Sequence, residues 1–354
     1  MKRSSFGMTL IAAMGLSAGL VPAAKAAPCL IVTLTGTAGG PQQPFNGLAS
    51  AGTLVRYGDD TDNCGAVNLQ FDAGRGTTMR LSQLGVGTEQ LNAVFFTHMH
   101  NDHTDGFEDL VESRWAFHGT GPKIDAVCSA DAVAPQGHTV SCRKFLAHLA
   151  DAFIQSGEIA QRHSEVKERT AGGPAELINP ITFEPKDDPL IVWSSGDVRV
   201  SAIRSTHIPG NVSYRVDTPA GSVVIGGDSV NDALAPPRSS STSEQVERLA
   251  KGADIIVHSA VHPVMAPGRG STMYPYAYYR QSTVPDLAAM AKRAGAKHLM
   301  LTHLIPPIGG QQYPFKFPGK PLSEADYRSS AQDGGFAGNI IVGTDLATLR
   351  LPAK

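Results

Sequence analysis

The chain has 354 residues and a formal net charge of −2. Its length suits one large domain with insertions, or one domain with a small lobe. The sequence contains no internal repeat and no low-complexity tract. The mildly acidic balance excludes the strongly basic composition typical of nucleic-acid-binding proteins, so we expect no nucleic-acid partner.

The N-terminal segment, from Met1 to Ala26, has the composition of a secretory signal peptide. Lys2-Arg3 precedes an apolar run at residues 8–21, and Ala24-Lys25-Ala26 fits a small-x-small cleavage site. The apolar run is too short for a comfortable membrane span, which favours a cleaved signal over a stable membrane anchor. Cleavage leaves residues 27–354, moves the formal charge from −2 to −5, and predicts a periplasmic or secreted protein.

Apolar runs at strand spacing alternate with stretches at helical spacing along the rest of the chain. Strands are predicted over residues 30–35, 67–72, 93–96, 197–203, 210–216, 221–225, 253–258, 297–302, 340–342 and 348–351. Helices are predicted over residues 77–84, 104–117, 142–155 and 284–294. This alternation indicates a layered α/β fold.

A run of metal-binding residue types follows the predicted strand at 93–96. His98, His100, Asp102 and His103 lie within six positions. Alternate residues of an extended segment point the same way, so His98 and His100 can face one ion. A turn then brings Asp102 and His103 towards a neighbouring point. Imidazole nitrogens and carboxylate oxygens suit zinc, and carboxylates also suit manganese or iron.

Four cysteines occur in the chain, namely Cys29, Cys64, Cys128 and Cys142. In an oxidising compartment an even count predicts disulfides, and four cysteines allow three pairings. We favour Cys29–Cys64 and Cys128–Cys142, because each pair closes a short local loop. Buried free thiols are the alternative.

The pattern H-x-H-x-D-H after an apolar strand resembles the metal-binding motif of the metallo-β-lactamase superfamily. The resemblance covers most of residues 27–354 and implies an αββα sandwich with a dinuclear metal site along one edge. The run F-D-A-G-R-G-T-T at residues 71–78 is similar to the matching stretch of the family. There the aspartate orients the metal-binding loop, which implies that role for Asp72.

The same resemblance implies a complete ligand set and a catalytic role for Asp102. Three residues would hold one ion (His98, His100 and His207), three would hold the other (Asp102, His103 and His303), and Asp228 would bridge the two. Two divalent ions, most readily zinc, lower the pKa of a shared water, so that hydroxide attacks an electrophilic centre. His258, at a predicted strand end near this edge, is a second candidate catalytic residue.

Two further regions bear on the approach to this site, one by interpretation and one as an open alternative. Residues 118–196 are long and irregular, and we interpret them as an insertion between the second and third metal motifs. A later loop contains Tyr274, Tyr276, Tyr278 and Tyr279. These rings either line a substrate-binding mouth or pack the loop.

Within the superfamily, G-N-V-S-Y-R-V at 210–216 and G-G-D-S at 226–229 resemble the tRNase Z and arylsulfatase-like branch. Asp228 disfavours the antibiotic-hydrolysing branch, which usually lacks a carboxylate there. Two departures argue against the nuclease. The short segment 208–227 joins His207 to Asp228 and leaves no room for the basic arm of the nuclease. The stretches at 258–261 and 281–283 lack its glutamate and assisting histidine.

We therefore predict a secreted dinuclear metal-dependent hydrolase of small sulfate or phosphate esters. A lactonase or a hydrolytic dehalogenase using the same site is the alternative. A β-lactamase or a tRNase Z ranks below these, and a non-catalytic binding protein ranks last. The expected partner is a small-molecule ester, and the oligomeric state is left open.

Overall fold

A computed structural model of the protein describes residues 26–40, 45–310 and 315–352. The predicted signal peptide lies outside the described residues, apart from Ala26. Within these ranges, no helix is long and apolar enough to cross a membrane.

The N-terminal half builds the first sheet and the helices on its outer side. Its strands are β1 (Pro28–Gly36), β2 (Gly52–Asp59), β3 (Val67–Phe71), β4 (Ala93–Phe95), β5 (Ile124–Ser129), β6 (Ala132–Val133), β7 (Thr139–Val140) and β8 (Ile178–Phe183). Its helices are α1 (Thr77–Gln83), α2 (Asn101–Thr104), α3 (Phe107–His118), α4 (Cys142–His148), α5 (Asp151–Ser156) and α6 (Glu158–Glu165).

The C-terminal half builds the second sheet. Its strands are β9 (Leu190–Ser195), β10 (Val198–Arg204), β11 (Val212–Thr218), β12 (Gly221–Ile225), β13 (Ile255–Val261), β14 (His298–Ile305), β15 (Asn339–Val342) and β16 (Thr348–Leu351). Its helices are α7 (Glu244–Ala250), α8 (Pro275–Tyr278), α9 (Val284–Ala294) and α10 (Glu324–Asp333). The sheet orders are β16-β1-β2-β3-β4-β5-β8 and β15-β14-β13-β12-β11-β10-β9, so β16 returns to the first sheet.

Alternating apolar residues explain why the two sheets stack face to face. Successive side chains of a strand point to opposite faces. In β12, Val223 and Ile225 join the cluster shared by both sheets, whereas Val224 packs towards the outer helices. In β4, Phe95 lies in the shared cluster and Val94 packs under the helices of the first half. The result is four layers, helix–sheet–sheet–helix.

The predicted αββα sandwich is therefore confirmed, with small differences in the elements. The predicted helix over 142–155 is two helices, α4 and α5, and the predicted helix over 104–117 begins later, after the short α2. Both predicted disulfides, Cys29–Cys64 and Cys128–Cys142, are present.

The segment 118–196 is only partly an insertion, because β5 and β8 belong to the first sheet and β9 to the second. Apolar strand residues such as Ile124, Ala126 and Val127 are fully buried in it. Residues 130–177 lie outside the two large sheets, with β6 and β7 forming a separate pair. That this segment shapes the substrate approach stays a prediction.

Candidate metal centre

Ends of strands from both sheets meet at one edge of the sandwich. The loop after β4 carries the four ligand candidates between residues 98 and 103. His207 follows β10, Asp228 follows β12, and His303 lies towards the end of β14. The side chains of His98, Asp102, His103, Asp228 and His303 are almost completely buried. The structure therefore brings together all seven residues that the sequence predicts as ligands.

One group of three imidazoles converges on a common point. The Nε2 atom of His98 lies 2.9 Å from Nδ1 of His100, and Nε2 of His207 lies 3.3 Å from the same atom. These ring nitrogens all lie within 4.8 Å of one another. Burial, and then the neighbouring imidazoles, lower the pKa of His98 well below its ordinary value, and burial lowers the pKa of His207 to about 4. Both rings are therefore neutral and offer lone pairs near pH 7.

A second group combines Asp102, His103 and His303. The Nε2 atom of His303 lies 3.0 Å from Oδ2 of Asp102, and Nε2 of His103 lies 3.7 Å from that oxygen. Burial opposes ionisation of Asp102, but the nearby His103 and His303 outweigh it and lower the pKa to about 2. The carboxylate is thus ionised across the physiological range.

Asp228 lies between the two groups. Its Oδ2 atom is 3.8 Å from Nε2 of His207 and 3.3 Å from Nε2 of His303, and its Oδ1 atom is 3.6 Å from Nε2 of His103. Burial would raise the pKa of Asp228, but His303 and His103 hold it well below its ordinary value. One carboxylate therefore contacts residues of both groups.

Asp72 supports the motif as the sequence predicts. Its carboxylate accepts hydrogen bonds from the Thr97 backbone N–H at 2.8 Å, the Thr97 hydroxyl at 2.8 Å and Nδ1 of His103 at 2.8 Å. The last bond turns Nε2 of His103 towards the site. Asp72 itself has φ of 54°, a left-handed conformation that is uncommon outside glycine and is found at functional sites.

The glycine before Asp228 is required by a close approach. Gly227 has φ of 59°, and a Cβ there would lie 2.9 Å from Cβ of Thr97. A side chain at this position would push the Asp228 loop away from the loop after β4. The G-G-D pattern alone does not indicate this contact, because Thr97 lies far away in the sequence.

Several buried atoms of the proposed ligands have no hydrogen-bond partner. Whether a cation could satisfy them shows whether the site suits a metal. The atoms without a hydrogen-bond partner include Oδ1 of Asp102, Nε2 of His103 and Oδ1 of Asp228. An unpaired buried polar group costs about 1–3 kcal/mol, so three in one place require a common partner. Imidazole and carboxylate are the donors that divalent transition metals prefer. The residues fit a metal centre.

His258 occupies a different environment from the ligand histidines. It is fully buried, its Nδ1 lies 2.8 Å from the carbonyl oxygen of Ser259, and its Nε2 lies 2.9 Å from the hydroxyl of Ser229. Both ring nitrogens are therefore occupied beneath the Asp228 loop. This position suits a residue that supports the loop rather than one that contacts substrate.

Arg280 is a site residue that sequence reasoning missed. Its carbonyl oxygen lies 3.2 Å from Nδ1 of His207 and accepts the hydrogen bond that orients that ring. Its side chain is exposed and lines a cleft of about 440 Å³ that also contains His207, Asn211 and Leu234. No local motif marks Arg280, because 73 residues separate it from His207.

Comparison with known proteins gives the same superfamily. Residues 62–133, which contain the first ligand motif, match a family model described as "Anti-Pycsar protein Apyc1". A protein named "Ribonuclease Z" from Mycobacterium bovis is 28% identical over 333 residues, which cover 90% of this chain and 96% of the relative.

Two solved structures share the fold. The metallo-β-lactamase fold protein YhfI from Bacillus subtilis is 18% identical with a TM-score of 0.55, and covers 90% of this chain and 99% of its own. Human tRNase Z, short form, is 16% identical with a TM-score of 0.56, and covers 91% of this chain and 100% of its own. The chain belongs to the metallo-β-lactamase superfamily. Within it, the chain is a metal-dependent hydrolase.

These relationships correct three predictions made from the sequence. The predicted hydrolysis of small sulfate or phosphate esters is wrong, because the relatives that match nearly the whole chain are ribonuclease Z proteins. The predicted absence of a nucleic-acid partner is wrong for the same reason, since these relatives are named as ribonucleases, which act on RNA. A small negative net charge says nothing about where the positive side chains cluster.

The predicted periplasmic or secreted location is the third error. The relatives that match nearly the whole chain are named as ribonucleases, and RNA is made and processed inside cells. The prediction depended on the composition of the segment from Met1 to Ala26. A pattern of basic, apolar and small residues is a compositional signal, and a relationship over 90% of the chain outweighs it.

Proposed function

We propose that this protein is a metal-dependent ribonuclease of the ribonuclease Z type, which hydrolyses a phosphodiester bond at the 3′ side of transfer RNA. The near-complete alignment with ribonuclease Z, 90% of this chain and 96% of the relative, carries the proposal. The convergence of seven histidine and aspartate residues at one edge supports it.

In this proposal two divalent ions, most readily zinc, would occupy the centre. His98, His100 and His207 would hold one ion and Asp102, His103 and His303 would hold the other, with Asp228, which lies between the two groups, as the shared ligand. Bound ions supply electrostatic stabilisation of the phosphate and a water of lowered pKa.

The other contributions come from the chain itself. Asp72 and the carbonyl oxygen of Arg280 fix the ring orientations of His103 and His207 through their Nδ1 atoms. The Oδ1 atom of Asp102 is buried without a partner. With a pKa of about 2, Asp102 is a weak base, so besides binding an ion through one oxygen it would orient the attacking water through the other, by accepting a hydrogen bond.

The test is cleavage of a precursor transfer RNA with a 3′ extension by purified protein loaded with zinc or manganese. We expect a single cut that separates the extension, and loss of the cut in His98→Ala. Bis(p-nitrophenyl) phosphate serves as a probe of the metal centre alone. Turnover of that probe without any cleavage of RNA would overturn the proposed substrate while leaving the metal centre intact.

A further inference from the structure

Two exposed tyrosines lie stacked on each other at the start of α8. The ring centroids of Tyr274 and Tyr276 are 5.6 Å apart with an interplanar angle of 12°, and the residues are 61% and 65% exposed. Tyr278 and Tyr279 behave differently, since Tyr278 is buried and Tyr279 lies beneath the guanidinium of Arg238. The four tyrosines therefore divide into two that pack the loop and two that face solvent.

The exposed pair is close to the proposed metal centre along the chain. Tyr276 lies four residues before Arg280, whose carbonyl oxygen accepts the hydrogen bond from His207. The intervening residues are helical in α8 and at Tyr279, so the two Cα atoms are separated by roughly 6 Å along the helix axis. Arg280 in turn lines the cleft that contains His207, so the segment that carries the two tyrosines leads directly to that cleft.

The charge of this region is opposite to that of the whole chain. Arg238 and Arg269 lie near Tyr278 together with one carboxylate, Asp286, and Arg280 follows two residues later, so positive side chains outnumber negative ones here, whereas the chain has a formal net charge of −2. Arg269 and Arg280 are exposed. A locally positive surface with an exposed aromatic pair suits a single-stranded nucleic acid, which presents phosphates and stackable bases together.

We propose that Tyr274, Tyr276 and Arg280, here called the tyrosine platform, bind unpaired nucleotides of the RNA next to the scissile phosphate. A base stacks on the tyrosine pair and Arg280 contacts a backbone phosphate. This inference depends on the proposed ribonuclease function and names the surface that recognises its substrate. The segment 208–227 between His207 and Asp228 is too short to supply a substrate-binding arm, so the substrate contact must come from elsewhere in the chain.

The experiment compares wild-type protein with two double variants. Tyr274→Ala with Tyr276→Ala removes the rings, and Tyr274→Phe with Tyr276→Phe keeps them without the hydroxyls. Phe117→Ala removes another exposed aromatic ring, 82% exposed on α3, and is the matched control. The readouts are kcat and KM on precursor transfer RNA, and Kd for a short phosphorothioate-linked RNA that resists hydrolysis, all with metal-loaded protein.

We expect the alanine pair to raise KM and Kd about tenfold or more, because stacking of a base on an aromatic ring contributes about five- to 150-fold in affinity. We expect kcat and turnover of bis(p-nitrophenyl) phosphate to change less than about twofold. The phenylalanine pair and Phe117→Ala should match the wild type.

The possible results separate this inference from the proposed function. Unchanged KM and Kd in the alanine pair, with wild-type cleavage of RNA, overturn the platform and leave the ribonuclease. Wild-type protein that binds the RNA through the tyrosines but does not cut it overturns the ribonuclease and supports the platform. Protein that neither binds nor cuts RNA overturns both.

Discussion

The two halves of the molecule contribute to the same site in different ways. The N-terminal half supplies His98, His100, Asp102 and His103 from one loop after β4. The C-terminal half supplies His207, Asp228 and His303 from the ends of three separate strands. The first arrangement is set by local sequence, whereas the second requires that β10, β12 and β14 be aligned in one sheet.

The halves also differ in what holds them together. Both disulfides lie in the N-terminal half, and no cysteine follows Cys142. The C-terminal half has buried polar contacts beneath the Asp228 loop. The Ser229 hydroxyl contacts Nε2 of His258 at 2.9 Å, and the Ser282 hydroxyl donates to the Ser229 carbonyl oxygen at 2.8 Å. Both halves contain buried hydrogen bonds, but among the described residues only the N-terminal half adds cross-links.

The largest effect is expected where the halves meet, at Asp228. Asp228→Ala removes the carboxylate that contacts His103 from one half and His207 and His303 from the other. We expect the metal content to fall from about two ions to one or fewer per chain. RNA cleavage should fall by about 10³-fold or more, since a metal ion provides several kcal/mol of transition-state stabilisation.

The measurements are elemental analysis and single-turnover cleavage of precursor transfer RNA. Asp217→Asn, on the surface of β11, is the matched control and should keep both metal and activity. Full metal content in Asp228→Ala would show that this residue does not join the two groups of ligands.

Loss of the disulfides should affect the N-terminal half next most strongly. The pairs Cys29–Cys64 and Cys128–Cys142 are separated by 35 and 14 residues. Loop-closure models assign about 4 and about 3 kcal/mol to loops of these lengths. Replacing each pair by alanines should lower the free energy of unfolding by up to these amounts, with the larger effect for Cys29–Cys64.

Denaturant unfolding of the two double variants checks this order. Non-reducing peptide mapping of the wild type provides the control, because it must first show both pairs oxidised. Four free thiols, or equal stability in wild type and variants, would remove the proposed difference between the halves.

The difference between the halves also explains how far the sequence could be interpreted. His98 to His103 could be found from the alternation of an extended segment, because all four ligands are local. His207, Asp228 and His303 came from the family resemblance, since their own neighbourhoods hold no comparable pattern. The αββα layers were predictable, because strands such as β12 alternate between two buried faces.

Other features could not be predicted because they depend on tertiary contacts. Arg280 meets His207 only after α8 folds against the edge of the sheet. The burial of His258 depends on the Asp228 loop above it. Substrate class was misjudged from a net charge that averages over the surface.

A substitution at His258 tests the hydrogen-bond network beneath the Asp228 loop in the C-terminal half. Burial lowers its pKa to about 4, so the ring is neutral, donates through Nδ1 to the Ser259 carbonyl oxygen and accepts at Nε2 from Ser229. His258→Ala removes the hydrogen-bond partner of the buried Ser229 hydroxyl and one hydrogen bond of the Ser259 carbonyl oxygen. We expect a loss of about 1–3 kcal/mol in the free energy of unfolding, with metal content unchanged.

Thermal and denaturant unfolding of metal-loaded protein measure the effect, and His258→Gln, which can replace one of the two hydrogen bonds, should recover part of it. A direct catalytic role predicts the reverse pattern. In that case both variants would lose RNA cleavage by about 10²-fold or more while their stability stayed near that of the wild type.

The smallest predicted effect is a change in the free energy of unfolding, caused by a substitution of Glu112 on α3, at the outer surface of the N-terminal half. Partial burial, and then Glu158 and Glu108, raise the pKa of Glu112 to about 7, although Arg162 opposes them. Because this pKa is higher folded than unfolded, the native state holds the proton more tightly. The corresponding stability is present below pH 4.5 and is lost as pH rises through 7.

The size of that loss follows from the pKa shift and from solvent exposure. A full shift corresponds to about 3 kcal/mol, which screening at this half-exposed side chain reduces to about 1 kcal/mol. Glu112→Gln should therefore raise the free energy of unfolding by about 1 kcal/mol at pH 8 and leave it unchanged at pH 4. Glu168→Gln, an exposed change in the same half, should alter neither value. An equal gain from Glu112→Gln at both pH values would mean that the glutamine packs better, because relief of a buried charge cannot stabilise the protein where the carboxyl is already protonated.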